Sequence, residues 1–146
     1  MFDVTCSAEI RAVTIRTETV AHETVPALDI KMLLLHVPVE RISSACPEIG
    51  ERFYEGDMVA VGEVNPLTVG HKLENLSVKI GDKTITGCDI KKGAKITLLP
   101  EKLANVEVTI QTLNHKDLIL KVIGFLKSEI GVTINERQLK MVEMNQ

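Results

Sequence analysis

The sequence predicts an α+β fold: a mainly antiparallel sheet of about six to eight strands, with one C-terminal amphipathic helix and a shorter, broken helix packed on it. Three observations carry this. Apolar and polar residues alternate with the period of two that a half-buried strand requires, and they do so in several separate segments. Short polar turns join those segments, most clearly Gly81-Asp82 and Lys91-Lys92-Gly93. Near the end the period changes to that of a helix. All three signals meet in residues 73 to 134, the best-defined stretch of the chain.

In chain order, Val4, Cys6, Ala8 and Ile10 alternate with Thr5, Ser7 and Glu9. The phase then slips by one residue at Ala12-Val13, the mark of a bulge or kink. Residues 17 to 26, TETVAHETVP, are polar and end in Pro26, so they read as a loop or a strand end. Residues 27 to 37 alternate and then become uniformly apolar, as in a central strand covered on both faces at its far end. Pro38 stops it. Residues 39 to 55 carry a helical pattern that Pro47 breaks in two. A short strand is expected at 58 to 64, before the turn signal Asn65-Pro66.

Leu76, Val78 and Ile80 form the next strand, and Gly81-Asp82 is a two-residue hairpin turn with glycine where positive φ is needed. Thr84 to Thr86 return, Gly87-Cys88 marks a bulge or close packing, and strands follow at Lys95 to Leu99 and Val106 to Ile110. Asn114 fits an N-cap, with Asp117 in the first turn. Leu118, Ile119, Val122, Phe125, Leu126 and Ile130 then make one apolar helix face over 115 to 130, which Gly131 ends. Val132 and Ile134 resume a strand. The chain reads as one domain, 1 to 146, with 136 to 146 as a flexible tail.

At 146 residues, 45% apolar and 25% charged, the chain has the make-up of a self-folding globular domain. Its core must be aliphatic, because it has no Trp, one Tyr and three Phe. So few rings argue against a base-stacking platform. Net charge is -3, unevenly spread: -6 over residues 1 to 64, +3 over 65 to 102, and balanced beyond. Cys6, Cys46 and Cys88 form no C-x-x-C pair and read as reduced, buried small hydrophobes. Neither a secretion signal nor a membrane-length apolar run is present, so no membrane association is predicted and the cytoplasm is the expected location.

Motifs for chemistry are sparse. The chain lacks both phosphate-binding glycine patterns, G-x-x-x-x-G-K-[ST] and G-x-G-x-x-G, so no nucleotide cofactor is expected. His22, His36, His71 and His115 are isolated, without the spacing that places two imidazoles on one metal. His36, at the end of an apolar strand, reads as a satisfied core histidine. Ser43-Ser44-Ala45-Cys46 lacks a nucleophile elbow. No catalytic residue, metal ligand or cofactor site is predicted.

Two charged groups remain. Lys79, Lys83, Lys91, Lys92 and Lys95 fall on the hairpin region and read either as solvated surface or as contacts to a partner or to DNA phosphates. Glu48, Glu51 and Glu55 have helical spacing along one side, giving a solvated face or a patch for a basic partner.

Three stretches together resemble a family of small proteins encoded by tailed bacteriophages and prophages: ALDIKMLLLHVPVERISSACPEIGERFYEGD (27 to 57), ITGCDIKKGAKITLLPEKLANVEVTIQT (85 to 112) and LILKVIGFLKSEIGVTI (118 to 134). They cover about half the chain, and residues 1 to 26 match nothing in it. The resemblance implies a phage setting in the host cytoplasm, near DNA recombination and counter-defence, and it implies no activity. The expected function is therefore a non-catalytic accessory that binds a host or phage protein in DNA metabolism or anti-defence. The alternatives are a DNA-binding accessory of recombination using the lysine hairpin, and a small enzyme whose site assembles only in space. Edge strands such as 4 to 16 also offer a route to a homo-oligomer.

Overall fold

The computed structural model describes residues 3–42, 54–55, 58–59, 67–113 and 116–136, and in them the alternating segments close on themselves. Ten strands are described: β1 (Asp3–Val20), β2 (Glu23–Pro38), β3 (Tyr54–Glu55), β4 (Met58–Val59), β5 (Leu67–Val69), β6 (Leu73–Ile80), β7 (Lys83–Ile90), β8 (Ala94–Leu99), β9 (Leu103–Leu113) and β10 (Glu129–Glu136). One helix, α1 (Lys116–Gly124), joins β9 to β10. The main sheet runs β2-β1-β10-β6-β7-β9-β8-β5, every pairing is antiparallel, and β9 also pairs with β2. That extra pairing joins the two sides of the sheet into a closed six-stranded barrel, β2-β1-β10-β6-β7-β9.

The expected antiparallel sheet with one helix is therefore present, but as a barrel. Closure covers strand edges where the six strands pair on both sides, as β1 does from Ser7 to Glu9 and β2 does from Ala27 to Leu34. β5 and β8 extend the wall: Leu67 stands opposite Ile96 and Leu73 opposite Ile90, so β5–β6 and β7–β8 form one long hairpin bent at Gly70–Lys72 and Lys91–Gly93.

The interior is aliphatic. Val4, Ala8 and Ile10 of β1, Leu28, Ile30, Met32 and Leu34 of β2, Val78 and Ile80 of β6, and Ala104, Val106, Val108 and Ile110 of β9 are all buried in one cluster. Each Val, Leu, Ile or Met side chain among them contributes about 1.5–3 kcal/mol by leaving water, and a barrel this narrow is filled by them. An apolar void lined by Ile42, Val69, Leu73, Ile90, Ala94, Ile96, Val106 and Val108 is about 10 Å³, with room for hardly one water.

Several details follow the expected pattern. The register of β1 against β2 shifts between Ile10 and Ala12, where the alternation slips. Gly81 takes φ +62 in the β6–β7 turn, and Gly87 takes φ +70 where that hairpin's register shifts between Leu76 and Val78. Others differ. TETVAHETVP is a continuous hairpin: Val20 pairs with Glu23, and Ala21 and His22 turn the chain with φ of 52 and 69. This is the left-handed turn that hairpin twist favours, here made without glycine or asparagine. Pro26 is tolerated because β2 meets β9 only from Ala27 onward, so no ladder bond is asked of it there.

The helix is shorter than expected. It stops at Gly124, where Phe125 and Leu126 donate their N–H groups to Val122 and Ile123 carbonyls at 3.0 and 3.1 Å, and Lys127 turns left-handed at φ 64. Gly131, the expected stop, lies inside β10 opposite Ser7. Leu118 and Val122 are buried, whereas Leu126 is exposed. The shorter broken helix expected over 39 to 55 is not what the described part shows: Val39–Arg41 is a single 3-10 turn, and Tyr54–Glu55 pairs as a strand with Met58–Val59. Residues 43–53, the N-cap at Asn114 and the tail beyond Glu136 lie outside the described residues, and Glu136 itself pairs with Leu76.

Candidate functional site

Because the barrel interior is filled, the chemistry available to a partner lies on its outer wall. Two groups of polar side chains stand there. The first is a belt crossing five strands. Arg16 of β1 pairs with Asp29 of β2, Gln111 of β9 donates to the same Asp29 Oδ1 at 3.4 Å, Asp89 of β7 stands opposite Gln111, and Asp89 accepts from the Asn75 N–H at 3.2 Å. Lys72 reaches Asp89 at 3.5 Å and Glu74 at 3.4 Å. The two carboxylates, Asp89 first, push Lys72 above its usual range. Asp29 likewise raises Arg16, with Glu18 adding to it. Each member of this belt answers another, so it reads as structure.

The second group is unbalanced. Lys31 of β2, Lys91 and Lys92 at the β7–β8 bend, and Lys95 of β8 surround a shallow depression of about 230 Å³ with Gly93, Ala94, Glu107 and Thr109. The sheet brings them together. From Leu28 to Leu34 the even-numbered residues of β2 fill the barrel, so Lys31 points outward opposite Thr109. Thr109 in turn accepts the Lys91 N–H at 3.0 Å, and Lys95 stands opposite Glu107. The bend is fixed by the Gly93 N–H to Val69 carbonyl bond at 2.8 Å. All four lysines are exposed. Glu107 is the one carboxylate on the depression, and its ion-pair partner is Arg11, at 3.9 Å. Among the described residues no acid lies within ion-pair distance of these four lysines.

The predicted lysine row is thereby divided. Lys91, Lys92 and Lys95 come together, whereas Lys83 sits at the opposite end of β7 and Lys79 stands opposite Thr84 and Thr133 near the same end. Seven residues of strand separate Lys83 from Ile90, roughly 23 Å at the usual rise. Lys31 was missed by sequence reading. Its signal was the alternation of β2, which marks it as outward, but its neighbours come from a strand more than sixty residues away. Of the glutamates, Glu55 belongs to a strand, so the helical side proposed for Glu48, Glu51 and Glu55 does not extend to it; Glu48 and Glu51 lie outside the described residues.

His36 corrects another reading. The register of β2 against β9 shifts between Leu34 and Val37, and this bulge turns His36 out to solvent with φ 52, its N–H donating to Asn105 Oδ1 at 3.0 Å. Cys88 is fully buried and its thiol is pushed up to about 11 by that burial. Cys6 is half-buried and raised for the same reason. Both thiols therefore stay protonated near neutral pH, the unreactive form. Among the described residues no three His, Cys, Asp or Glu side chains converge on a metal-sized space, and no helix is long and apolar enough to cross a membrane. No family model matches the chain, and neither a curated protein nor a solved structure matches it.

Proposed function

We propose that the protein is a non-catalytic binding module that holds an acidic segment of a partner protein against Lys31, Lys91, Lys92 and Lys95. The observation that carries this is the convergence of four exposed lysines from two distant parts of the chain on one wall, with a single carboxylate, Glu107, on the depression and none within ion-pair distance of them among the described residues. Gathering like charges is unfavourable in isolation and is relieved when an anionic surface arrives. The filled barrel supports the same reading, since the wall is where a partner can reach. Taken with the resemblance to small phage and prophage proteins, the partner we propose is a host or phage protein of DNA metabolism or anti-defence, met in the host cytoplasm.

DNA phosphates are the competing anion. The division of the lysine row speaks for the protein partner, because Lys79 and Lys83 do not continue the track and about four phosphate contacts are left. Salt separates the two. Duplex binding through four lysines should weaken with a log–log slope near -3.6, while an acidic peptide that carries fewer condensed counterions should lose affinity less steeply. The experiment is a fluorescence titration with a labelled Asp/Glu-rich peptide and with single-stranded and duplex DNA at two salt concentrations. A Lys91→Glu/Lys92→Glu variant should lose peptide binding by about tenfold or more. If the wild-type chain takes up neither peptide nor DNA at low salt, the proposal fails.

A further inference from the structure

Among the described residues β1 has an open edge past Ile10. Pairing between β1 and β10 ends at Glu9–Glu129, with a last exchange in which the Ile10 N–H reaches the Ser128 carbonyl at 3.1 Å and the Lys127 N–H reaches the Ile10 carbonyl at 2.6 Å. From Arg11 to Val20, β1 continues against β2 alone. Among the described residues no strand pairs with the other side of this segment. Ala12 to Arg16 form the open margin of the β1–β2–β9 wall, and Thr17 to Pro26 extend from it as a two-stranded arm; on this edge Ile15 is 59% exposed and Val20 is 43% exposed.

The direction of the free backbone groups can be worked out. Ile10 turns its N–H and C=O toward Ser128, so its neighbours in the ladder turn theirs toward β2. The bulge at Arg11 shifts the phase by one. Beyond it, Ala12, Thr14, Arg16, Glu18 and Val20 bond to β2, and Val13, Ile15, Thr17 and Thr19 turn their backbone groups to the open side. Pro26 agrees with this assignment: it stands opposite Thr17 and has no N–H to give, as fits a position that does not bond back to β1.

We infer that this edge pairs antiparallel with the same edge of a second copy of the chain, Thr17 opposite Thr17, to form a two-fold dimer. The charges select the partner and the register. An isologous antiparallel pairing centred on Thr17 sets Arg16 against the second copy's Glu18 and Glu18 against its Arg16, while Ile15 meets Thr19 and Thr14 meets Val20. Centring one residue earlier would set Arg16 against itself, and one residue later Glu18 against itself. Arg16 already holds Glu18 of its own chain at 2.7 Å and also pairs with Asp29, so the dimer would join two such groups into one network on the outer face. The four outward residues are β-branched and carry no charge, as favours strand addition. This reading uses a different face from the lysine wall and does not depend on it.

Sedimentation equilibrium on the full chain, from micromolar to millimolar concentration, tests it. The expected mass rises from 16.1 kDa toward twice that value. Thr17→Pro removes one outward N–H and none that bonds to β2, so it should keep the monomer's circular dichroism and melting behaviour and stay monomeric throughout. Glu18→Arg, which sets arginine against arginine, should raise the dissociation constant by about tenfold. A wild-type chain that remains monomeric at the highest concentration overturns the inference. So does a dimer that both variants leave intact, or one that Lys91→Glu/Lys92→Glu dissociates, since the interface would then lie elsewhere.

Discussion

The barrel wall and the open edge of β1 are built from the same strands, yet alternation means different things in each. In the wall, Ile30 stands opposite Ile110 on one side and Val13 on the other, and it is wholly buried. On the open edge of β1, Ile15 stands opposite Leu28, two residues from Ile30 along β2, and is mostly exposed. Both isoleucines face the same side of the sheet. What separates them is whether the sheet has curved round to cover that side. Period-two alternation therefore reports which residues share a face, and closure decides whether the face becomes a core.

The comparison can be broken most forcefully at Ile30. Ile30→Ala should lower stability by about 2–5 kcal/mol, read as a shift in the urea midpoint at unchanged slope. A loss as small as that of a surface site would mean the wall is not the continuous core described. Next is Cys88, buried in the same wall, whose thiol is raised from an ordinary 9.0 to about 11. Here the folded state holds the proton more tightly than the unfolded state. The associated stability is complete below about pH 9 and is lost as pH rises toward 11, amounting to roughly 2–3 kcal/mol. Cys88→Ala should flatten that decline relative to the wild type, as measured by denaturant titrations from pH 8 to 11.

Gly81 sharpens the comparison at the barrel's helix-covered end. At φ +62, a Cβ there would meet Ile130 Cδ1 at 3.0 Å and Phe125 Cζ at 3.4 Å. Gly81→Ala should cost about 1–2 kcal/mol from backbone strain and crowding together, seen in the melting temperature. The smallest effect belongs to the open edge. Ile15→Ala, assayed at a concentration low enough to keep the chain monomeric, should change stability by no more than about 0.5 kcal/mol. A loss like that of Ile30→Ala would show that something covers the edge within a single chain.

Much of this architecture could be read locally. The alternation of residues 4 to 10, the slip at Ala12, the Gly81 turn and the Gly87 bulge all lie within a few residues of their cause. Closure could not be read that way, because the β2–β9 pairing joins Ala27–Pro38 to Leu103–Leu113, and no neighbour of either strand encodes the other. The Ala21-His22 turn escaped because it lacks the glycine or asparagine that announces such turns. His36 was misplaced for a related reason: an apolar run hides a bulge, since every residue in it seems suited to either face. The lysine wall was half legible. Three of its members sit together at one bend, while Lys31 joins them only through the same long-range pairing that closes the barrel.

That pairing also orders events during synthesis. β1 leaves the ribosome well before β10, its neighbour in the wall, which comes from residues 129–136. Until they emerge, the outer edge of β1 is open along its whole length from Asp3, and pairings so far apart in sequence form slowly. The nascent chain thus carries an unpaired strand while more than a hundred further residues are made, the condition under which strands add to the wrong neighbour. Completion of β10 ends that exposure up to Ile10, and among the described residues the edge beyond it stays open in the folded chain.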